Sequence, residues 1–207
     1  MIPLWRRLLR RLVFRPYRIW SSLHLRRFER ATRNLQQVQR DVLLGRIAAN
    51  RDSRFGRDHN FAGISKVEDF RARVPVTTYE YYAPYIQQMK AGRADALLGP
   101  GQNLVMFAMT SGTHTARKFI PITEEFVQHF RRGWLIWGVK ACCDHDGMLH
   151  GSILQLASDW EEFKTEAGIP CGSVSGLMAK MQRSIVRRLY CIPPEVGRIK
   201  DVTARHY

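Results

Sequence analysis

The stretch Leu104-Val-Met-Phe-Ala-Met-Thr-Ser-Gly-Thr-His-Thr-Ala-Arg-Lys-Phe-Ile-Pro-Ile-Thr123 decides how this chain is read. Leu104–Ala108 is a short apolar run, and Gly99-Pro100-Gly101 ahead of it is a strong turn signal, which together give the pattern of a buried strand. Three hydroxyls and a glycine then occupy four positions, Thr110-Ser111-Gly112-Thr113. A loop of that composition offers backbone N–H and O–H donors to an anion. Lys118 follows, with a compact ammonium able to reach a phosphate held there. The spacing is neither G-x-x-x-x-G-K-[ST] nor G-x-G-x-x-G. By composition alone such a stretch is more often an ordinary turn, so both readings stand.

Upstream, Ser53-Arg-Phe-Gly-Arg-Asp-His-Asn60 has the residues of a turn, with Gly56 available for positive φ. Ser65 and Glu68 have the spacing of a capping box, which predicts a helix over 66–71. Pro75 holds Val74 extended. Thr77 or Thr78 can cap the next helix, which carries Tyr79, Tyr82 and Ile86 on one side and ends at Gly92.

Downstream, Cys142-Cys143-Asp144-His145-Asp146 with His150 matches no zinc spacing and is expected to be no metal site. Asp159, Glu161, Glu162 and Glu166 around Trp160 suggest a solvated helix face. Cys171 and Cys191 are expected to be small buried hydrophobes. Arg183, Arg187 and Arg188, with Met181, Ile185 and Leu189, suggest an amphipathic helix.

The ends of the chain differ in charge. Residues 1–57 hold fifteen arginines, no lysine and three acids (Glu29, Asp41, Asp52), and so carry +12 of the net +15. Between Pro3 and Arg15, Leu4, Trp5, Leu8, Leu9, Leu12 and Val13 fall on one helical face, and Arg6, Arg7, Arg10 and Arg11 on the other. Pro16 is expected to break or kink that helix, and a second helix is expected from about Ser21 to Asn50. Three occupants suit residues 1–30: the rest of the protein, an anionic membrane surface, and nucleic acid bound by charge alone. No helix-turn-helix, zinc-finger or RNP signature is present, so no specific nucleic acid is expected.

The full length of 207 residues, 45% apolar and 25% charged, places the chain among globular proteins and excludes disorder throughout. No self-similar period marks a repeat protein, and no apolar run approaches the roughly 20 residues of a membrane span. Two of the four cysteines are adjacent and no C-x-x-C occurs, which fits a reducing, cytoplasmic setting.

Thr110-Ser111-Gly112-Thr113 with Lys118 resembles the phosphate loop of adenylate-forming enzymes. The tail Lys118-Phe-Ile-Pro-Ile-Thr123 narrows the resemblance, as do Phe55-Gly56, His59, Phe61, Val67-Glu-Asp-Phe70, Val74-Pro-Val76, Tyr79-Glu80 and Pro84-Tyr-Ile86. Together with Gly168-Ile-Pro170, Ser175-Gly176 and Pro193-Pro-Glu195, they are similar to the acyl-acid amido synthetases of the Gretchen Hagen (auxin-responsive) family, in its bacterial branch. The resemblance spans roughly residues 25–207 and implies that Cys142-Cys143-Asp144-His145-Asp146 is a surface connection.

The resemblance implies a ligase that adenylates a carboxylic acid with ATP and Mg²⁺ and passes the acyl group to an amine or amino acid. It places Thr110, Ser111, Gly112 and Thr113 along the β- and γ-phosphates, with Lys118 nearby; the catalytic residues stay unassigned. His114 and Thr115 stand where the family motif usually continues Thr-Gly, and Arg117 where related loops often have proline. The implied family length is more than twice this one. The expectation is therefore an α/β N-terminal portion of the large domain: a basic helical arm over 1–52, then an incomplete adenylation domain over 53–207, inactive by itself. The alternative is a non-catalytic basic interaction protein that works through residues 1–30.

Overall fold

The computed structural model describes residues 4–110, 117–145, 148, 151–182, 184–188, 190–193, 195, 196, 199, 201 and 204. Its elements are α1 (Leu4–Arg33), α2 (Leu35–Ala49), α3 (Arg54–Asp58), α4 (Val67–Arg73), α5 (Tyr79–Lys90), β1 (Leu104–Met109), β2 (Phe119–Thr123), α6 (Glu124–Asp144), β3 (Phe163–Lys164), β4 (Pro170–Gly172), α7 (Val174–Lys180) and α8 (Ser184–Arg187). They belong to two compact units. One comprises Met1–Leu35, Val127–Leu156 and Gln182–Pro193; the other comprises Gln36–Phe126, Ala157–Met181 and Pro194–Tyr207.

The second unit contains a four-stranded mixed sheet in the order β2-β1-β4-β3. β1 pairs antiparallel with β2 (Met106↔Ile122, Ala108↔Ile120) and parallel with β4 (Phe107↔Cys171, Ala108↔Gly172). β3 runs antiparallel to β4. A central strand loses water on both faces, so its apolar run is continuous rather than alternating. Met106 and Phe107, consecutive and hence on opposite faces, are both fully buried.

Phe107 packs with Ile86 and Met89 of α5, with Ala96 and with Cys171 of β4. A second cluster forms around Ile47, Phe55 and Phe61. Tyr82, Tyr85 and Leu97 touch both clusters and join them. His59 is buried there and stacks on Phe55. Its Nδ1 lies 2.8 Å from the Phe55 carbonyl and must donate to it, which leaves Nε2 to accept from the Tyr81 hydroxyl at 2.6 Å.

The end of α2 is latched to the chain entering β1. Asn50 Oδ1 accepts from the Gly99 N–H (3.0 Å) and from Gln102 Nε2 (2.8 Å), while Gln102 Nε2 also donates to the Ala49 carbonyl (3.2 Å). These contacts satisfy polar groups that a helix end leaves open. The approach leaves no room for a side chain: a Cβ on Gly99 would lie 1.8 Å from the Ala49 carbonyl oxygen.

Several local expectations are corrected. Residues 54–58 form a short helix rather than a turn, because Ser53 caps it by accepting the Gly56 N–H at 3.0 Å. Gly56 is there for space, with the Asn50 carbonyl oxygen 2.2 Å from where a Cβ would sit; Asn60 takes the left-handed conformation instead (φ 48°). The residue closing the box before α4 is Asp69, not Glu68. Its carboxylate accepts from Ser65 N–H and Oγ and from Lys66 N–H, and these bonds hold its pKa below the ordinary carboxylate value.

Helix α1 runs through Pro16, and the break falls at Asn34, whose N–H turns back to the Ala31 carbonyl (3.1 Å). The Asn34 side chain competes with the backbone for hydrogen bonds and so favours a helix end. Cys142, Cys143 and Asp144 form the last turn of α6 rather than a connection. The acids around Trp160 lie on no helix: Asp159, Glu161 and Glu162 lie in the irregular segment before β3 and Glu166 in the turn after it. Of the two cysteines expected to be buried, Cys171 is and Cys191 is exposed. α8 is a single turn, and Arg183 and Leu189 lie outside the described residues. Among the described residues no helix is long and apolar enough to cross a membrane.

Two glycines should respond in opposite ways to alanine. Gly99→Ala is expected to lower unfolding free energy by about 2 kcal/mol or more, since it pushes a Cβ into backbone. Gly45→Ala, inside α2 with nothing within 4 Å of its Cβ position, is expected to raise it by about 0.5–1 kcal/mol. Urea unfolding of both variants checks the pair. The Tyr85 hydroxyl donates to Asp58 Oδ2 at 2.8 Å; burial, then that bond and the Asp58 charge, push its pKa up to about 12. Above the ordinary tyrosine pKa the unfolded chain releases a proton that the fold retains, so this contribution is lost as pH rises from about 10 to about 12. Spectrophotometric titration of the seven tyrosines should show late ionisation that loses its step near pH 12 in Tyr85→Phe.

Candidate functional site

Strands β1 and β2 form a hairpin whose ladder continues one step past the strands. The Thr110 N–H donates to the Lys118 carbonyl at 3.2 Å and closes the mouth. The loop between them holds Ser111, Gly112 and Thr113 of the expected phosphate site, with His114 and Thr115; these five lie outside the described residues. Thr110 and Lys118 are thus brought face to face as the two posts of the loop. Because the Thr110 N–H is already committed, its exposed hydroxyl is what it offers an anion.

The hairpin mouth sits at a particular edge of the sheet. β1 and β4 run parallel, so their carboxyl ends lie side by side, and the Ala108↔Gly172 register sets the start of the loop beside Ser173. In open α/β sheets ligands bind outside the carboxyl ends of parallel strands. Ser173 caps α7, accepting the Ser175 N–H at 3.2 Å, with the two hydroxyls 2.7 Å apart. Close backbone packing supports this corner. A Cβ on Gly172 would meet the Trp160 backbone at 2.4 Å, and one on Gly176 the Ser158 carbonyl oxygen at 2.1 Å. The Ser173 N–H is held by the Asp159 carbonyl (2.8 Å), and Lys180 Nζ lies 3.3 Å over the Trp160 ring.

Helix α5 anchors the other post. Tyr79 accepts the Phe119 N–H on its hydroxyl oxygen (2.9 Å) and donates to the Phe119 carbonyl (3.4 Å). Lys118 Nζ lies 5.5 Å from the centre of the Tyr79 ring. Next to it, Glu80 has its pKa lowered by the Thr78 hydroxyl first, then by its own backbone N–H and the Lys118 charge. Lys118 therefore stands over an aromatic ring and within the field of one carboxylate. Arg117 turns elsewhere and pairs with Glu162 of the sheet corner at 3.6 Å, with both side chains largely exposed.

Chemically, the mouth offers one hydroxyl, one ammonium and, across the strand ends, two further hydroxyls. That donor set suits an anion. Among the described residues no group of three or more His, Cys, Asp or Glu is arranged to hold a metal. Tyr79, Glu80, Glu162 and Ser173 are part of the neighbourhood although residue spacing did not point to them. Tyr79-Glu80 and Ser175 carried only a family likeness, and Glu162 lies 45 residues from the arginine it meets.

Residues 24–207 match the model of the GH3 family N-terminal domain. A probable indole-3-acetic acid-amido synthetase GH3.2 of Oryza sativa subsp. japonica is 33% identical over 147 residues, 70% of this chain and 24% of that protein. Indole-3-acetic acid-amido synthetase GH3.5 of Arabidopsis thaliana is 34% identical over 153 residues, 72% of this chain and 24% of that protein. A solved GH3.15 acyl acid amido synthetase shares the fold with a TM-score of 0.69 at 23% identity, over 83% of this chain and 30% of that one. The match thus takes in about a quarter of the length of these two curated relatives. With a mixed sheet and hairpin of this fold, and a family match over nearly its whole length, the chain belongs to the GH3 family, in the region of its N-terminal domain.

Proposed function

We propose that residues 104–123 are the phosphate-holding hairpin of an ATP-dependent acid–amido synthetase, which adenylates a carboxylic acid and passes the acyl group to an amine or amino acid. The observation that carries this reading is the Thr110–Lys118 closing pair at the carboxyl end of β1, beside the carboxyl end of the parallel strand β4. Homologues named as indole-3-acetic acid-amido and jasmonoyl-L-amino acid synthetases support the reaction class.

ATP with Mg²⁺, when bound, supplies the α-phosphorus that the carboxylate attacks and the pyrophosphate that leaves. The chain's part is electrostatic. Lys118 and the hydroxyls of Thr110, Ser111 and Thr113, with backbone N–H groups of the loop, offset the charge that builds on the leaving group. Tyr79 fixes the first residue of β2 and so the direction from which Lys118 reaches the loop. Glu80 adds a carboxylate to the electrostatic surroundings of Lys118. The aligned 83% of this chain covers 30% of the solved relative, and the whole reaction is proposed for a polypeptide that also carries the remaining functional elements.

Pyrophosphate binding, followed by titration calorimetry on residues 1–207, tests the hairpin. Lys118→Ala is expected to weaken it about tenfold or more, whereas Arg117→Ala, which loses only an exposed ion pair, should stay within about twofold. Equal binding by the wild type and Lys118→Ala would overturn the assignment. Acid-dependent exchange of labelled pyrophosphate into ATP should be absent from residues 1–207 alone. Exchange that Lys118→Ala abolishes would keep the ligase reading and remove the claim that further elements are required.

A further inference from the structure

We propose that the first two-thirds of α1, residues 4–23, is an interfacial helix that seats on an anionic lipid surface. This segment lies ahead of residue 24, where the family match begins, so the family fold does not account for it. Its described apolar side chains are unusually wet: Leu12 is 64% exposed, Ile19 70% and Leu23 55%. Their spacings of seven and four put all three on one arc of the helix. By the same period, positions 5, 8, 9, 13 and 20, all apolar in sequence, fall on or beside that arc.

The charge lies beside and behind that arc. Residues 1–23 contain Arg6, Arg7, Arg10, Arg11, Arg15 and Arg18, with neither an acid nor a lysine. At 100° per residue Arg6, Arg7, Arg10 and Arg18 fall about 120–160° from the centre of the Leu12, Ile19 and Leu23 arc, while Arg11 and Arg15 flank it at about 100° and about 60°. An apolar arc flanked and backed by arginines, with no acid among them, is the pattern of a helix lying in the plane of a bilayer surface. Its apolar side enters the acyl boundary while guanidinium groups stay among the anionic headgroups. Pro16 is exposed and lies on the apolar arc, so its missing N–H and bulk are no obstacle to that placement. The helix is not a span, since no described helix is apolar enough to cross.

Charge complementarity selects the lipid over other occupants. Nucleic acid would use the arginines and leave the apolar arc in water. A second copy of the helix would cover the apolar arc but bring the flanking Arg11 and Arg15 of each copy to one seam, with no acid for an interhelical pair. An anionic bilayer engages both arcs at once.

Cosedimentation of the whole chain with vesicles tests this. One set is phosphatidylcholine alone, the other contains about one-third phosphatidylglycerol, each across salt from about 0.05 to about 0.5 M. Binding is expected to the anionic vesicles and to weaken as salt rises. The Leu12→Gln/Ile19→Gln/Leu23→Gln variant leaves charge unchanged and alters only exposed positions; its partition should drop about tenfold or more. Arg6→Gln/Arg7→Gln/Arg10→Gln/Arg11→Gln should lower it at least as much. Far-UV circular dichroism checks that both variants keep their helices, and pyrophosphate binding should be unchanged in both.

Absence of vesicle binding by the wild type, or equal binding by the glutamine variant, overturns the proposal. So does wild-type preference for duplex DNA that the Leu/Ile substitutions leave intact, which would mean a charge-only contact. A concentration-dependent dimer lost in the glutamine variant, without vesicle binding, would assign the apolar arc to a second copy.

Discussion

Strand β1 has to satisfy its backbone on both edges, because it is buried on both faces. Buried N–H and C=O groups without partners are costly, and a strand packed above and below has only its neighbours to offer. The sequence solves this with a hairpin partner on one side and a distant parallel strand on the other. The rest of the sheet unit follows from that arrangement. Helix α5 must cover the Phe107 face, the Gly99 approach must be tight enough to deliver the chain to Leu104, and the loop after Thr110 must emerge next to the end of β4. The two posts of the candidate site are held for the same reason: they are the last rungs of a ladder whose other rungs lie in the core.

Adjacent cations at the hairpin mouth have different fates. Arg117 pairs with Glu162 in a largely exposed contact of the kind worth about 0–1 kcal/mol, which ties the loop to the β3 side of the sheet loosely. Lys118 lies above Tyr79 and feels Glu80 at a distance, which restrains its stem but leaves its donors unspent. A group that must neutralise an incoming anion is better placed by an aromatic face and a remote carboxylate than by a direct ion pair, since the pair would first have to be broken. The excess charge of residues 1–57 is a property of one end of the chain.

Features written in local chemistry were legible from the sequence. The apolar run of β1, the turn at 99–101, the Tyr82–Ile86 face of α5 and the extended Val74 before Pro75 each follow from neighbouring residues. Features that depend on which of two similar signals wins were not. Asp69 displaced Glu68 because its shorter side chain reaches back to three donors, and Asn34 rather than Pro16 divided the helices. Gly56 proved to be a matter of room rather than of φ, which only the Asn50 carbonyl reveals. Helix α6 is hard to read because Trp134-Leu-Ile-Trp137 is apolar without a period. At the site, Thr110 and Lys118 were visible as residue types, and the family text around them gave the class. Glu80, Glu162 and Ser173 join them through strand pairing and helix packing across 30 to 60 residues, which spacing along the chain does not disclose.

The parallel pairing of β1 with β4 also sets a clock. About 60 residues separate the end of β1 from the start of β4. At the roughly 5–20 residues per second of protein synthesis, β1 waits on the order of 3–12 seconds before its second partner has been made. Its hairpin mate β2 arrives almost at once, so one edge is sealed while the other stays open through the making of all of α6. During that interval the nascent chain presents an unpaired, apolar strand edge, the feature most prone to recruit a strand from another chain. The half-made domain is therefore most vulnerable at the strand that later carries the site, and whatever shields the nascent chain has to act between β2 and β4.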